Sequence, residues 1–291
     1  LFMNHLIRII PRLDIKGSDL VKGVNLEGLR VLGSPNEFAR YYYEQGADEL
    51  FYQDVVASLY GRNSLKDIIS KTAENIFIPL TVGGGVRSLS DISDILRSGA
   101  DKVSINSAAL KNPDFIREAA EKFGSSTVVI NIEAIKQPSG NYLAFTDNGR
   151  NCSGRDVFEW AKQVEKLGAG EIVITAVDKE GKGNGMNLEL VEKIVKNTNI
   201  PVIAHGGIGK INHCVEILNK IKLNGLAISS MFHYEYLSNK KNTKHKIEHE
   251  GNVEYLKKKL TPKNILYCSI GNLKKELLKK NIFCRYDQKI V

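Results

Sequence analysis

Short apolar runs alternate with amphipathic stretches along most of the chain. Eight runs have the β-branched, apolar character of buried strands, and most are followed by a stretch in which Leu, Ile and Val recur with a helical period. The predicted strands comprise residues 8–14, 49–54, 79–82, 102–105, 127–133, 171–175, 202–204 and 225–229. The predicted helices comprise residues 35–45, 65–75, 89–98, 113–123, 157–167, 188–197 and 270–280.

This alternation is typical of parallel strands that are joined by crossover helices. Eight units in about 220 residues predict an α/β protein with a closed (β/α)8 TIM barrel, and an open doubly wound sheet is the alternative. Residues 80–85, LTVGGG, are echoed by residues 202–207, VIAHGG, so the barrel is expected to consist of two similar half-barrels. Asp14 and Glu133 end the first and fifth strands, which are corresponding positions of the two halves.

The charge of the chain is distributed unevenly. The net charge is +8, and residues 232–291 account for all of it, with 14 Lys or Arg against 6 Asp or Glu. We interpret residues 234–268 as a basic insertion between the eighth strand and the last helix of a single barrel domain that spans residues 1–291. Nucleic acid is not an expected partner, because neither a binding module nor an aromatic stacking platform accompanies the charge.

Hydropathy and cysteine spacing indicate where the protein is located and whether it binds a metal. The longest apolar run is shorter than the roughly 18 residues that span a bilayer, so a cytoplasmic protein is expected. The four cysteines are scattered and none are at C-x-x-C spacing, so we expect free thiols and no metal site.

Residues at the C-terminal ends of the strands face the active site of a (β/α)8 barrel. The sequence places carboxylates, glycines and hydroxyl or amide side chains there, namely Asp14, Asp54, Gly83, Gly84, Gly85, Asn106, Ser107, Glu133, Asp178, Gly206, Gly207, Ser229 and Ser230. A glycine run after a strand lets backbone N–H groups approach an anion, so the two runs predict two phosphate sites across one mouth. The alternative is that these glycines only make tight turns.

Two carboxylates on opposite strands are candidates for acid–base catalysis. Asp14 and Glu133 are expected to work as general acid and general base on opposite sides of a substrate, although a structural ion pair is the alternative. Lys22 follows the first strand, where it either binds a phosphate or is exposed.

A second charged set stands at the opposite ends of the strands. It comprises Arg8, Glu49, Lys102 and Glu171. Unpaired charges are costly inside a barrel, so two cations and two anions predict a paired ring that closes the bottom. Such a ring is either structural or a gate.

Several long motifs resemble the cyclase subunit of imidazole glycerol phosphate synthase, a (β/α)8 barrel of histidine biosynthesis. The resemblance covers nearly the whole chain and rests on RIIPRLDIKGSDLVKGVN, GADELFYQDVVAS, IPLTVGGGVRSL, SGADKVSINSAALKNP, WAKQVEKLGAGEIVIT and IPVIAHGGIGK. It implies that ammonia from a glutaminase subunit reacts with a bisphosphorylated formimino-aminoimidazole carboxamide ribonucleotide. The products are imidazole glycerol phosphate and aminoimidazole carboxamide ribotide, and no metal or redox cofactor is implied.

The same resemblance implies roles for individual residues. Asp14 matches the first catalytic aspartate, and Glu133 stands where a second aspartate is expected. The implied ammonia gate consists of Arg8, Glu49, Lys102 and Glu171, and Asp101 is implied to face the glutaminase. One phosphate is implied to contact Gly85, Asn106 and Ser107, and the other Gly181, Gly207, Ser229 and Ser230.

The sequence departs from the family pattern around the mouth. Arg12 replaces a cysteine, His205 replaces a serine, and Glu180 and Lys182 stand in a loop that usually reads Asp-Gly-Thr. Two hypotheses follow. In the first, the protein is a working cyclase. In the second, it is a cyclase-like barrel that delivers ammonia to a sugar amidotransferase for amidation of a surface-polysaccharide sugar, and residues 234–268 form the surface on which a partner docks. A third hypothesis is a silent barrel that serves only in assembly.

Overall fold

The computed structural model describes residues 6–57, 65–239 and 263–286. Eight parallel strands form a closed ring, because the last strand of the hydrogen-bonded series pairs with the first. In ring order they are β10 (Glu171–Ala176), β11 (Val202–His205), β12 (Gly225–Ile228), β1 (Arg8–Lys16), β4 (Leu50–Asp54), β5 (Leu80–Gly83), β6 (Lys102–Ile105) and β7 (Val128–Lys136). The predicted (β/α)8 barrel is therefore confirmed, and the open sheet is excluded.

Two antiparallel hairpins extend the barrel at its mouth, and the sequence analysis did not predict them. β2 (Asp19–Val24) and β3 (Glu27–Gly33) follow β1, whereas β8 (Tyr142–Thr146) and β9 (Asn151–Asp156) follow β7. The second hairpin turns at Asp147 and Asn148, both with positive φ, next to Gly149. These residue types are typical of tight hairpin turns, so a local signal was present. One hairpin in each half agrees with the internal repeat.

Helices cover the outside of the ring. They are α1 (Pro35–Glu44), α2 (Lys66–Ala73), α3 (Leu89–Arg97), α4 (Ser107–Lys111), α5 (Asp114–Phe123), α6 (Val157–Lys166), α7 (Leu188–Asn197), α8 (Ile211–Lys220), α9 (Ser230–Asn239) and α10 (Ile270–Lys279). Side chains cap the starts of α3, α6, α7 and α10; at α3 the Ser88 side chain accepts from the Asp91 N–H while the Asp91 carboxylate accepts from the Ser88 N–H. Among the described residues, no helix has the length and apolar character needed to cross a membrane. The cytoplasmic location stays a prediction.

The predicted boundary of the basic insertion is wrong at its start. Helix α9 continues to Asn239, and Tyr234 and Glu235 are buried in it. Glu235 and Tyr236 contact α1, where the Tyr41 hydroxyl donates to Glu235 and the Tyr41 ring lies 4.8 Å from the Tyr236 ring. Residues 240–262 lie outside the described residues. Residues 263–268 return to the mouth, where the Leu266 N–H donates to the Gly209 carbonyl.

The core has two parts. A large cluster fills the space between strands and helices, and a smaller one fills the lumen of the barrel. We call the smaller cluster the apolar layer; it consists of Ile10, Phe51, Val129, Val173, Ile203 and Ala227. Inward-facing residues alternate along each strand, so the positions two residues before and after this layer lie below and above it.

Candidate functional site

Asp14 and Glu133 lie near the C-terminal ends of β1 and β7, which are diametrically opposite in the eight-strand ring. Both carboxylates are buried, with exposed fractions of 2% and 3%. Asp14 is held by Arg12, whose Nε donates to Asp14 Oδ1 at 3.0 Å. The Lys22 Nζ lies 3.8 Å from the other Asp14 oxygen. Asp14 is thus flanked by two cations at the upper end of the lumen.

Arg12 crosses part of the lumen directly above the apolar layer. Its side chain is fully buried, and its guanidinium carbon lies 5.4 Å from the centre of the Phe51 ring. Its Nη1 lies 3.3 Å from both Thr175 Oγ1 and His205 Nδ1. Because a guanidinium only donates, His205 Nδ1 accepts and the ring proton belongs on Nε2. Burial, and then the charges of Arg12 and Lys22, hold the pKa of His205 well below its usual range.

Lys22 is not exposed, so that alternative from the sequence is wrong. It stands on β2 with an exposed fraction of 2%, and its Nζ forms an ion pair with Glu180. The Glu180 backbone also accepts from the Asn25 N–H at 2.9 Å. The β2–β3 hairpin is thereby fastened to the loop after β10, which compensates the Lys22 charge inside the protein.

Glu133 has a different environment from Asp14. Its Oε2 accepts a hydrogen bond from the Gly149 N–H of the β8–β9 hairpin at 2.8 Å. Burial raises the pKa of Glu133 to about 7, against the opposing influence of Gly149, Arg12 and Asn106. The two opposed carboxyls therefore differ in their surroundings: one lies between cations, and the other exchanges a proton near neutral pH.

A cavity of about 280 Å³ opens beside Glu133. The predicted phosphate residues of the first half, Gly85, Asn106 and Ser107, all line it. Gly84 and Gly85 have φ of +102° and +70°, and a Cβ on Gly84 would lie 2.3 Å from the Asp54 carbonyl oxygen. Only glycine therefore fits this turn at Gly84.

The predicted phosphate residues of the second half stand at the mouth ends of β10, β11 and β12. They are Asp178, Gly181, Gly206, Gly207, Ser229 and Ser230. A Cβ on Gly207 would lie 2.2 Å from the Gly185 carbonyl oxygen, so this loop is as tightly built as its counterpart. Ser229 and Ser230 are buried where β12 leads into α9.

The charged set at the other end of the barrel forms a closed ring of alternating charge, which we call the ion ring. Arg8 pairs with Glu49 at 2.9 Å and also with Glu171. The Lys102 Nζ lies 3.0 Å from Glu49 and 3.1 Å from Glu171. The predicted pairing is confirmed. Asp101 lies beside this ring on the exposed surface and accepts the Leu80 N–H.

Comparison with known proteins shows the family to which this barrel belongs. Residues 8–238 match the model of the family described as histidine biosynthesis protein. The chain belongs to the histidine biosynthesis protein family. The chain is 58% identical over 205 residues to the imidazole glycerol phosphate synthase subunit HisF of Legionella pneumophila, an alignment that covers 70% of this chain and 97% of the relative.

Two further members of the family extend the aligned region. The HisF subunit of Clostridium botulinum (strain Okra / Type B1) is 46% identical over 245 residues, which cover 84% of this chain and 96% of the relative. The HisF subunit of Bacillus cereus (strain G9842) is 44% identical over 258 residues, which cover 89% of this chain and 97% of the relative. The resemblance inferred from the motifs is confirmed.

The sequence analysis did not identify several polar residues that lie inside the barrel. Gln53, Ser104, Asn131 and Thr175 face the lumen and are buried. A signal was available: each stands at an inward position of its strand, two residues from a residue of the ion ring, the apolar layer or the mouth. Their importance depends on their hydrogen bonds, which the sequence does not display.

Proposed function

We propose that this protein is the cyclase subunit of imidazole glycerol phosphate synthase. It joins ammonia to the formimino ribonucleotide and releases imidazole glycerol phosphate and aminoimidazole carboxamide ribotide. The observation that carries this proposal is the identity of 44–58% to HisF subunits. It is supported by two opposed, buried carboxyls in the mouth of the barrel.

We assign different tasks to the two carboxyls. Arg12 and Lys22 hold Asp14 in one position at the mouth, and we assign to this carboxylate the task of accepting a proton from the substrate. Glu133, with a pKa of about 7, suits a group that donates a proton near neutral pH and takes it back. His205 is kept neutral by burial and the neighbouring cations, so it orients Arg12 and does not compete for protons.

The two glycine turns are proposed to bind the two phosphates of the substrate. Gly85, Asn106 and Ser107 line one side of the mouth, where the N-terminus of α4 also faces the cavity. Gly181, Gly206, Gly207, Ser229 and Ser230, together with Asp178, form the other side. We do not assign Lys22 to a phosphate, because Glu180 compensates its charge.

Ammonia is proposed to enter from the bottom of the barrel. The relatives are each named as a subunit, and a glutaminase subunit is the proposed partner, facing Asp101 and the ion ring. Arg8, Glu49, Lys102 and Glu171 then form the gate through which ammonia passes. No observation favours amidation of a polysaccharide sugar, and each of the three relatives described above is named as HisF.

The test is turnover of the formimino ribonucleotide by the purified protein with an ammonium salt and no glutaminase. We expect product from the unaltered protein and from the control Asp67→Asn, whose side chain is exposed on α2. Asp14→Asn should lower turnover by about 100-fold or more, since it removes a proton acceptor. Near-normal turnover by folded Asp14→Asn would contradict the assigned mechanism, and absence of product from the unaltered protein would contradict the function.

A further inference from the structure

Three buried polar side chains lie at the bottom of the cavity in the mouth. Gln53, Ser104 and Asn131 have exposed fractions of 9%, 3% and 1%. Each keeps one polar atom that makes no hydrogen bond within the described part of the chain: Gln53 Oε1, Ser104 Oγ and Asn131 Nδ2. All three residues line the same cavity. Leaving buried polar atoms without a partner is costly, so their grouping at one place indicates a ligand.

A hydrogen bond from a neighbouring strand orients the amide group of Asn131. Asn131 Oδ1 accepts from the Thr175 hydroxyl at 3.0 Å, which leaves its Nδ2 as the presented group. A Cβ on Gly83 would lie 2.6 Å from Gln53 Oε1 and 2.9 Å from the Ser104 Cβ. A side chain at Gly83 would therefore displace Gln53 and Ser104 from the positions in which they line the cavity.

Gln53, Ser104 and Asn131 lie between the ion ring and the catalytic mouth. Ser104 follows Lys102 of the ion ring by two residues on β6, which places it about 6.6 Å higher along the strand. Gln53 follows Phe51 of the apolar layer by two residues on β4, and Glu133 follows Asn131 by two residues on β7. On the other side of the lumen, Arg12 reaches across to Thr175 and His205. A small molecule that rises through the apolar layer meets the three free atoms next.

We propose that Gln53, Ser104 and Asn131 form a docking site for ammonia beneath Glu133. This inference rests on the proposed function. Neutral ammonia has three N–H donors and one lone pair, so it donates to Gln53 Oε1 and Ser104 Oγ while it accepts from Asn131 Nδ2.

The site is tested by the separate Michaelis constants for ammonia and for the ribonucleotide. Gln53→Leu and Asn131→Ala each remove one proposed hydrogen bond. We expect the KM for ammonia to rise about 3- to 10-fold in each variant, the range that one net hydrogen bond provides, with the ribonucleotide KM within about twofold of normal. The matched control is Gln163→Leu, the same exchange at an exposed position of α6, which should leave both constants unchanged.

The outcomes separate this inference from the proposed function. Unchanged ammonia KM in both folded variants overturns the docking site while the cyclase function stands. A parallel rise of both constants also overturns it, because the three residues would then bind the ribonucleotide. Absence of turnover in the unaltered protein overturns the proposed function and this inference together. Circular dichroism and thermal unfolding of each variant establish that it is folded.

Discussion

The buried ion pair of Arg12 and Asp14 should couple strongly to the stability of the barrel. Its two side chains have exposed fractions of 0% and 2%, and Nε lies 3.0 Å from Oδ1. Removing one partner of a buried pair costs about 3–5 kcal/mol, because it leaves an uncompensated charge. Lys22, at 3.8 Å from the other Asp14 oxygen, compensates in part. We therefore expect Arg12→Met to lower the free energy of unfolding by about 3 kcal/mol, the lower end of that range.

A surface pair with nearly identical geometry provides the control. The Arg40 Nε lies 2.9 Å from Glu44 Oε1, but the side chains are 69% and 54% exposed. Solvent and side-chain entropy reduce such a pair to below about 0.5 kcal/mol. The two pairs share this nitrogen–oxygen geometry and differ strongly in burial, so the surface pair shows how much the same contact contributes in solvent.

The assay is a double-mutant cycle from urea unfolding of Arg12→Met, Asp14→Asn and the double variant. A parallel cycle uses Arg40→Met and Glu44→Gln. We expect a coupling free energy of about 2–3 kcal/mol for the buried pair, with the double variant less destabilised than the sum of the singles. A buried coupling below about 0.5 kcal/mol, or one equal to that of the surface pair, would refute the reasoning.

Three further predictions concern titration and backbone geometry. Because the pKa of Glu133 is raised from 4.5 to about 7, its stabilising contribution is full below pH 4.5 and is lost as the pH rises through 7. Over that interval the free energy of unfolding of the unaltered protein should fall by roughly 3 kcal/mol relative to that of Glu133→Gln. Urea unfolding of both proteins at several pH values measures this difference, and a difference that does not change with pH would contradict the prediction. His205, whose pKa is lowered well below 6.5, should show neutral ring resonances by NMR down to pH 5.5, and a midpoint near 6.5 would contradict its buried contacts. Gly84→Ala should destabilise the protein by more than about 2 kcal/mol in thermal unfolding, because the new Cβ would lie 2.3 Å from a carbonyl oxygen. The control Gly17→Ala, where φ is +60° and no atom lies within 4 Å of the new Cβ, should cost about 1 kcal/mol. Equal losses of stability in the two variants would show that the close contact at Gly84 has no effect.

The strand and helix periods of the sequence were enough to predict the barrel. Each of the eight predicted strands is present in the ring, and the helices predicted at residues 35–45, 157–167 and 270–280 are present within a residue of their ends. These elements follow from local patterns, because successive side chains along a strand point alternately to its inner and outer face. The ion ring was predictable for the same reason, since charges at strand starts in a barrel have to pair.

The surroundings of the site's charged side chains depend on contacts between parts of the chain that are distant in sequence. Lys22 and Glu180 are 158 residues apart in sequence, and Arg12 and His205 are 193 apart. No local pattern marks such pairs, so the burial of Lys22 was missed. The environment of Glu133 likewise depends on the β8–β9 hairpin folding over it.

The sequence by itself determined the class of fold and which carboxylates reach the mouth, because these depend on periodicity and on position along a strand. The family followed from the resemblance of its long motifs to those of a known family. Only the tertiary structure decided which carboxyl lies between cations, which one has its pKa raised to about 7, and where buried polar atoms are left facing the lumen. The physical reason is that protonation and hydrogen bonding depend on desolvation and on neighbours in space, and both arise only when the ring closes.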